Sequence, residues 1–585
     1  MRRFTNKPWT ALAAVLMLCE GGAFAATVTW TNTTSGGSAW ETTGNWNGGA
    51  LPGPADTAKI ANGGKAIVNS TFSITNLTLQ SQSTLRIESG AIRITDPAAN
   101  DIKFADSGGT SSVEQVGGTL ELTGAQAAYW GYNSGNAFYG RFSGGSMICT
   151  NPTGSAWLGI GNYDAKFDIE VSSSAVWNVY ALRMGYGAGT ASPKIFRQKD
   201  SSTVTGTTMV VGYSGCGTTY YMDNGTNSHG TLDIWGSPAT PATMIINGGI
   251  VRATGGANDL LLGNSSGSQG FLIVSNGTLT VVGNTIVGYY GQGILNVYGG
   301  TVTLPGLLLA WNTGTGTVTV ANGAAINLGG QNFKNQINVG YLNLGDATSS
   351  GSVTNIGTVT VGENSNPGQI YIRGWGVLAT SSGFNLIGTN TMQVTADGYN
   401  AADRTLSITG SAAVAHVALA ASSGWYARNR GKLLFPSLAV SSGNVTNNWA
   451  DRSTDLTNDL VNSVQFIFTN ATAGTLNGAL LATNRTDVHA GLYRPVGVWE
   501  FSGPAFTSAT LQFRYDAAAA AASSVAETDL KVMNWSGSDW RDITASVNTN
   551  AKCIRSKAIA SLGAPSQFAV APLSLVKRGT IFMLR

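Results

Sequence analysis

The chain has 585 residues, of which 77 are glycine and only 11% are charged, and its net charge is +3. This composition favours an extended β-rich protein over a helical one. Without a basic cluster, it also excludes a typical nucleic-acid-binding surface. The four cysteines lack the close paired spacing of a disulfide framework or a zinc site, so we expect neither a cofactor nor a metal.

The segment 1–25 has the pattern of a secretory signal peptide. Arg2 and Arg3 form a positive start, residues 9–18 form an apolar core too short to span a bilayer, and Ala23 to Ala25 form a small-residue cleavage site. We therefore expect a secreted or cell-surface protein whose mature chain begins near Ala26. No later segment has the sequence of a transmembrane helix.

Residues 26–62 are rich in tryptophan and turn residues. Trp30, Trp40 and Trp46 lie in this segment, directly before the repeats. Because a solenoid exposes the apolar cross-section of its first coil, these rings suit an N-terminal cap. An aromatic sugar-binding patch is the alternative.

Residues 63–435 consist of short alternating apolar runs separated by glycine turns. The clearest repeats lie between Phe271 and Gly323, where Gly277, Gly300 and Gly323 follow one another at equal intervals. A fixed period of this size, built from short strand patterns, is typical of a stacked β-solenoid. Period-2 alternation predicts Leu, Ile and Val inside each coil, with Thr, Asn and Ser outside. The sequence thus predicts an all-β parallel β-helix with about 23 residues per coil.

Two repeated signatures resemble a known class of exported proteins. Strand pairs of the form apolar-x-apolar-x-x-Gly-Gly-Thr-apolar-x-apolar alternate with a Val-Gly…Gly turn over roughly residues 27–430. They resemble autotransporter-type passenger repeats and related exported bacterial parallel β-helix proteins. The resemblance implies a right-handed β-helix displayed outside the cell for adhesion or surface coating, and it carries over no catalytic residues. The N-terminal part of the repeat region is also similar to the start of such proteins. The residues that carry this similarity are Trp30, Trp40, Trp46, Pro52 and Asp56.

The C-terminal end departs from the autotransporter pattern. A true autotransporter ends in a membrane barrel closed by an aromatic residue, whereas this chain ends with the sequence TIFMLR at 580–585. We therefore expect it to lack the translocator barrel. Residues 436–572 instead show strand patterns spaced like an antiparallel β-sandwich, followed by a tail at 573–585. The run from Ala517 to Ala522 is interpreted as a loop.

Carboxylates are too dispersed to indicate an active site. From Leu260 to Phe333 the sequence has no Asp, Glu, Lys, Arg or His, although β-helical polysaccharide enzymes need carboxylates gathered on one face. The best catalytic candidates are Asp164, Asp168 and Glu170, which we expect in an outward row close to Arg183 on the next coil. We favour an ordinary solvated strand face and assign no catalytic residue.

Histidines give only weak metal-site candidates. Asp223, His229 and Asp233 surround a predicted turn, but a lone histidine is a weak zinc signal. His489, in the sandwich region, is interpreted as structural.

Aromatic residues near the turns suggest a binding surface. Tyr289, Tyr290 and Trp311 are the proposed carbohydrate-binding residues, and Trp157 is a further aromatic at such a position. Aromatic faces stack on sugar rings, but rings that only stack on one another to stabilise the ladder are an equal alternative.

Three functions remain open from the sequence. We favour an exported, non-enzymatic β-helical protein with a structural or adhesive role, expected to be a monomer that contacts a polysaccharide or another cell-surface component. The alternatives are a carbohydrate-binding β-helix protein and a polysaccharide lyase or hydrolase of the pectin-lyase-like type.

Overall fold

The computed structural model is almost entirely β, with 57% of residues in strands and 4% in helices. Most of the solenoid and nearly all of the C-terminal region are described. The described ranges are 25–95, 102–106, 109–123, 127–150, 157–185, 194–309, 314–328, 333–335, 339–344, 350–361, 369–373, 375–388, 391–395, 404–409, 414–419, 424–428, 430–435, 437–450, 461–563 and 565–573. Residues 1–24 of the predicted signal peptide lie outside these ranges.

Three parallel sheets form a β-solenoid. In each coil the chain contributes a strand to the first, then the second and then the third sheet. The first sheet contains Thr27–Thr29, Thr57–Ile60, Asn76–Leu79, Ile102–Phe104, Ala127–Trp130, Trp157–Ile160, Ala181–Met184, Asn258–Leu262, Asn284–Val287, Gly306–Leu309, Phe333–Asn335 and Val414–Leu419. The second contains Ser38–Ala39, Lys65–Val68, Thr84–Ile87, Thr110–Gln115, Ala137–Phe142, Lys166–Val171, Lys194–Gln198, Thr219–Met222, Ala242–Ile246, Gln269–Val274, Gln292–Val297, Thr315–Val320, Val339–Leu344, Gln369–Arg373, Thr391–Thr395 and Gly424–Arg428.

The third sheet completes each coil. It contains Thr71–Ile74, Ala91–Ile94, Thr119–Leu122, Ser146–Cys149, Val176–Val179, Ile250–Ala253, Thr278–Val281, Thr301–Thr303, Ala325–Asn327, Arg404–Thr409 and Gly431–Leu434. Four longer strands belong first to the third sheet and then to the first: Thr203–Gly215, Thr226–Gly236, Ser350–Val361 and Trp375–Gly388. The predicted parallel β-solenoid is confirmed, and its handedness stays a prediction.

Coil length varies more than the sequence period suggests. The regular period holds where Gln269 pairs with Gln292 and Gln292 with Thr315. Elsewhere the same ladder has a shorter coil, from Lys65 to Thr84, and a longer one, from Ala137 to Lys166. Because the strands still pair side by side, the additional residues are accommodated in the corners between strands.

Alternation places the apolar side chains in the centre of the solenoid. Leu272 and Val274 are buried in one strand, and Leu295 and Val297 occupy the paired positions one coil later. The corner between the second and third sheets carries glycines with positive φ, including Gly277 at 80° and Gly300 at 75°. A Cβ on Gly300 would lie 2.4 Å from the carbonyl oxygen of Gly277. Glycine is therefore required there both by the backbone conformation and by the stacking of corners.

The tryptophan-rich segment forms the first coil. Thr27–Thr29 and Ser38–Ala39 begin the first and second ladders, so part of the predicted cap already belongs to the solenoid. Trp30, Trp40 and Trp46 are all at most 2% exposed, and the ring of Trp46 meets the other two edge to face. A sugar cannot reach these buried ring faces. Of the two predicted roles, these rings therefore have that of covering the core, and not that of a sugar-binding patch.

A two-sheet antiparallel region follows the solenoid. The strand Gly431–Leu434 pairs in parallel with the last coil and antiparallel with Gly474–Leu481, so one sheet continues from the solenoid into this region. The continuing sheet contains Leu438–Val440, Gly474–Leu481, Gly497–Ser502, Ser566–Pro572, Leu530–Trp535 and Trp540–Asp542. The facing sheet contains Gly443–Trp449, Val464–Ala471, Ser508–Arg514, Cys553–Ser556 and Thr544–Asn548. The predicted antiparallel sandwich is confirmed.

Helical segments are short. The interpretation of the alanine run as a loop is wrong, because Ala517–Ala522 is an α-helix whose first turn is capped by the carboxylate of Asp516 accepting from the Ala518 N–H. The high helix propensity of alanine and this cap favour a helix here, although the neighbouring segments are strands. The 3₁₀ turns are Thr43–Asn45, Asn47–Gly49, Asn162–Asp164 and Glu527–Asp529. Within the described ranges, no helix has the length and hydropathy needed to cross a bilayer.

Candidate functional site

The acidic candidates of the sequence lie on the second sheet, and each has a basic partner. Asp168 pairs with Arg141 at 3.1 Å, and Glu170 pairs with Lys199 at 2.9 Å. Asp164, in the 3₁₀ turn before the strand, pairs with the buried ammonium of Lys194 at 3.3 Å. The expected neighbour Arg183 is on the first sheet instead, and Arg197 is the arginine in register with Glu170. The row is therefore part of a pattern of ion pairs.

That pattern extends along the outer surface of the second sheet. Outward positions in direct register carry alternating charges, in the order Arg86, Glu114, Arg141, Glu170 and Arg197. Arg86 lies 3.2 Å from Glu114, and Glu114 also accepts from Lys65. These contacts lower the pKa of Glu114 against the opposing effect of its partial burial. Opposite charges on neighbouring strands stabilise the ladder.

The metal candidate is not supported. His229 and Asp233 lie on the strand Thr226–Gly236, but His229 is buried in the core whereas Asp233 is on the outer side. Asp223 is held by Arg197, at 3.5 Å, and by the amide of Asn247. Among the described residues, no group of three His, Cys, Asp or Glu side chains could hold a metal ion.

The proposed tyrosines lie beside an apolar patch on the first sheet. Tyr289 packs against Leu261, Ile286 and Leu308, which occupy outward positions in direct register on three successive coils. Tyr290 is 41% exposed, and its ring centroid is 4.3 Å from that of Tyr289. Trp311 lies outside the described residues.

A longer series of side chains precedes this patch on the same sheet. Each member contacts the next, and we call the series the aromatic–cation row. Its members, in order along the solenoid, are Lys103, Tyr132, Tyr129, Trp157, Arg183, Tyr213 and Trp235. The distances between consecutive groups run from 4.2 Å at Lys103 and Tyr132 to 5.6 Å at Tyr213 and Trp235.

Glycine at position 159 makes room for the centre of the row. Trp157 and Gly159 are alternate, outward residues of one strand, and Gly159 is in register with Tyr129 and Arg183. A Cβ at Gly159 would lie 2.7 Å from the Trp157 ring and 3.2 Å from the Tyr129 ring. The missing side chain therefore allows both rings to lie over the strand.

Arg183 is the cationic centre of the row. Its guanidinium carbon lies 4.9 Å from the ring centroid of Trp157 and 4.9 Å from that of Tyr213. Cation–π attraction holds the guanidinium between the two rings. The Nε atom is buried and has no hydrogen-bond partner among the described residues.

Asp233 occupies the outward position two ladder steps after Arg183, with Val210 between them. One carboxylate oxygen accepts from the amide of Asn264 at 3.0 Å, and the other is buried without a partner. Burial raises the pKa of Asp233 to about 6, although the hydrogen bond from Asn264 opposes the shift. This carboxyl group can change its charge under mildly acidic conditions.

Sequence reasoning missed most of this row, although a signal was present. Tyr132, Tyr213 and Tyr289 each directly follow a positive-φ glycine at the corner after a strand of the first sheet. Equivalent corners place equivalent side chains in one column, because successive coils stack in register. A repeated Gly-Tyr pair after a strand pattern would thus have located the row.

His489 contributes to a separate aromatic cluster in the sandwich. Its ring stacks on Trp535 at 4.2 Å, and its backbone carbonyl accepts a hydrogen bond from the Trp540 indole. These contacts agree with a structural role. Comparisons with protein-family models, with curated proteins and with solved structures return no match for this chain.

Proposed function

We propose that this protein is an exported, non-enzymatic β-helical adhesion protein that binds carbohydrate through the aromatic–cation row. The observation that carries the proposal is the unbroken series of side chains from Lys103 to Trp235 on one outer face. The signal-peptide pattern at 1–25 and the resemblance to autotransporter-type passenger repeats support export.

Carbohydrate fits the row by its chemistry. A sugar ring has apolar faces that stack on aromatic rings, and hydroxyl groups around its edge that accept hydrogen bonds. Successive strands place their outward residues about 4.8 Å apart along a straight axis. Such a surface suits a linear polymer better than a compact ligand.

The distribution of carboxylates favours binding over hydrolysis. Glycoside hydrolysis uses a pair of carboxyl groups on either side of the scissile bond. Among the outward positions in register from Lys103 to Leu308, Asp233 is the single carboxylate. The acids of the second sheet described above are engaged in ion pairs instead.

The test is binding of the mature chain to a polysaccharide array, with reducing and unsaturated ends measured in the same wells. Trp157→Ala is expected to abolish binding, because it removes the ring that connects Tyr129 with Arg183. Tyr221→Ala is the matched control, since Tyr221 is an outward aromatic on the second sheet that stacks with Arg197. Equal loss in both variants, or no binding by the wild type, would contradict the proposal.

A polysaccharide lyase or hydrolase is the second candidate, favoured by the raised pKa of Asp233. A carboxyl group that titrates near pH 6 suits general acid–base chemistry. New chain ends that appear with the wild type and disappear with Asp233→Asn would establish this candidate and overturn the non-enzymatic proposal.

A further inference from the structure

Three cations of the first sheet have no acidic partner among the described residues. Lys59, Lys103 and Arg183 occupy outward positions of the same ladder. Within the described ranges, none of the three forms a salt bridge. Lys103 instead lies 4.2 Å from the ring centroid of Tyr132, and Arg183 lies between two rings. Among the outward ladder positions of the described first-sheet strands, Asp233 is thus the first acid after these three cations.

The second sheet shows that this is not the general state of cations in the solenoid. Lys65 and Arg86 share Glu114, at 2.6 and 3.2 Å. Arg141 has Asp168 and Lys199 has Glu170 within 3.1 Å. The two sheets thus differ: these cations of the second sheet have acidic partners, whereas Lys103 and Arg183 of the first sheet have aromatic partners.

The arrangement of Arg183 defines what it can bind. Its guanidinium carbon lies over two aromatic rings, so the acceptor of a ligand must bind the terminal N–H groups. A carboxylate or sulfate group accepts such charge-assisted hydrogen bonds better than a hydroxyl group does.

The spacing of the cations suits a repeating anion. Lys103 and Arg183 are three ladder steps apart, with Tyr129 and Gly159 between them. At the usual strand spacing this separation is about 14 Å, and Lys59 lies two steps on the other side of Lys103, or about 10 Å away. A polymer that follows the axis would meet a cation, then aromatic rings, then a second cation.

We infer that the ligand of the aromatic–cation row is a linear acidic polysaccharide. Its sugar rings stack on Trp157, and its carboxylate or sulfate groups bind Arg183 and Lys103. This inference rests on the proposed function and adds the charge of the ligand to it.

The experiment compares charged and neutral polymers on one backbone with the mature chain. Dextran sulfate is paired with dextran, and carboxymethyl cellulose with hydroxyethyl cellulose, so the two pairs separate sulfate from carboxylate recognition. Binding is expected only to the charged member of at least one pair, and it should weaken as salt is added. Equal binding to both members of each pair would overturn the inference.

Two variants assign the effect to the row. Arg183→Gln is expected to weaken binding about ten-fold or more, because a charged hydrogen bond is lost. Arg252→Gln is the matched control, since Arg252 is an exposed arginine on the third sheet, away from the aromatic rings. Lys103→Gln provides a second test at a position that does not lie between two rings. Melting temperatures are measured for all three variants, so that a folding defect is recognised.

The outcomes separate this inference from the proposed function. If neutral and charged polymers bind equally and Trp157→Ala abolishes both, carbohydrate binding stands and the charge preference is wrong. If no polymer of the panel or of the array binds, both fail. If charged polymers bind but Arg183→Gln and Lys103→Gln bind like the wild type, the row is not their site.

Discussion

His229 and Asp233 lie on the same strand, and their side chains face opposite sides of it. His229 is inside the solenoid, 1% exposed, with no hydrogen-bond partner for either ring nitrogen. Asp233 is on the outer face, next to the aromatic–cation row. Burial acts on both groups against the charged form, so it lowers the pKa of the histidine to about 3 and raises the pKa of the aspartic acid to about 6.

The histidine makes the solenoid sensitive to acid. Its pKa in the unfolded chain is 6.5, so below that pH the unfolded chain takes up a proton that the folded chain refuses until about pH 3. Stability from this group is complete above pH 6.5 and falls by about 1.4 kcal/mol per pH unit between the two values. Replacement by methionine should flatten the dependence of the unfolding free energy on pH across this interval.

Urea unfolding at a series of pH values checks this expectation. His489→Gln is the control for loss of a histidine at an exposed position outside the solenoid. A His229→Met protein with the same slope as the wild type would show that His229 is not the responsible group.

Asp233 should make binding of an acidic polymer depend on pH. Its folded pKa of about 6 exceeds the ordinary value of 3.8, so it is neutral below pH 6 and negative above it. Its negative charge lies two ladder steps from Arg183 and opposes an anionic ligand there. Binding should therefore become about two-fold tighter as the pH falls through 6. Dextran sulfate is the suitable ligand, since its own charge stays constant in this range.

The Asp233→Asn variant isolates that carboxyl group. It should bind dextran sulfate more tightly than the wild type above pH 6 and equally below it. Titrations by calorimetry on both sides of this pH measure the difference, and a variant that keeps the full pH dependence would disprove the assignment.

Corner glycines allow conformational strain to be separated from steric clash. Gly300 and Gly323 both have positive φ, but only at Gly300 would a Cβ meet the backbone of the previous coil. Gly323→Ala should cost about 1 kcal/mol for the left-handed conformation alone. Gly300→Ala should cost about 1–3 kcal/mol more, because the clash forces neighbouring corners apart. Denaturant unfolding of the two variants provides the comparison, and equal losses would show that corner contact is unimportant.

The first coil should depend strongly on Trp40. This ring is fully buried and contacts Trp46 at 4.6 Å. Trp40→Ala is expected to destabilise the first coil by about 3–5 kcal/mol. Because each coil contacts only its neighbours, the loss should appear as faster hydrogen exchange in Thr27–Thr29 and Thr57–Ile60 before it appears farther along. Tyr298→Ala, at a position 38% exposed, is the control and should change little.

The solenoid could be predicted because one physical rule repeats in every coil. Alternation decides which side chain faces the core, as in Leu272 and Val274, and glycine decides where a corner forms, as at Gly277. Both signals are local, so a single sequence contains them. The antiparallel sandwich could be recognised for the same reason.

The sequence did not predict which residues of successive coils are neighbours, because the number of residues in each corner determines which strand positions lie in register. Arg183 was expected near Asp168 on the next coil, but a full coil at this point runs from Glu170 to Arg197. The chain from Asp168 to Arg183 covers only part of a coil, and it therefore leads to a different sheet. The aromatic–cation row was missed for the same reason, since its members come from several strands and their following corners.

The strand Gly431–Leu434 lies at the end of the third sheet, where a strand from another molecule could pair. The exposed edge of a parallel ladder is a template on which another molecule can add strands. Here the third sheet ends with an antiparallel partner, Gly474–Leu481, that occupies the backbone groups of this edge. A strand from a second copy therefore cannot pair with this edge of the third sheet, so this sheet offers no site for end-to-end polymerisation.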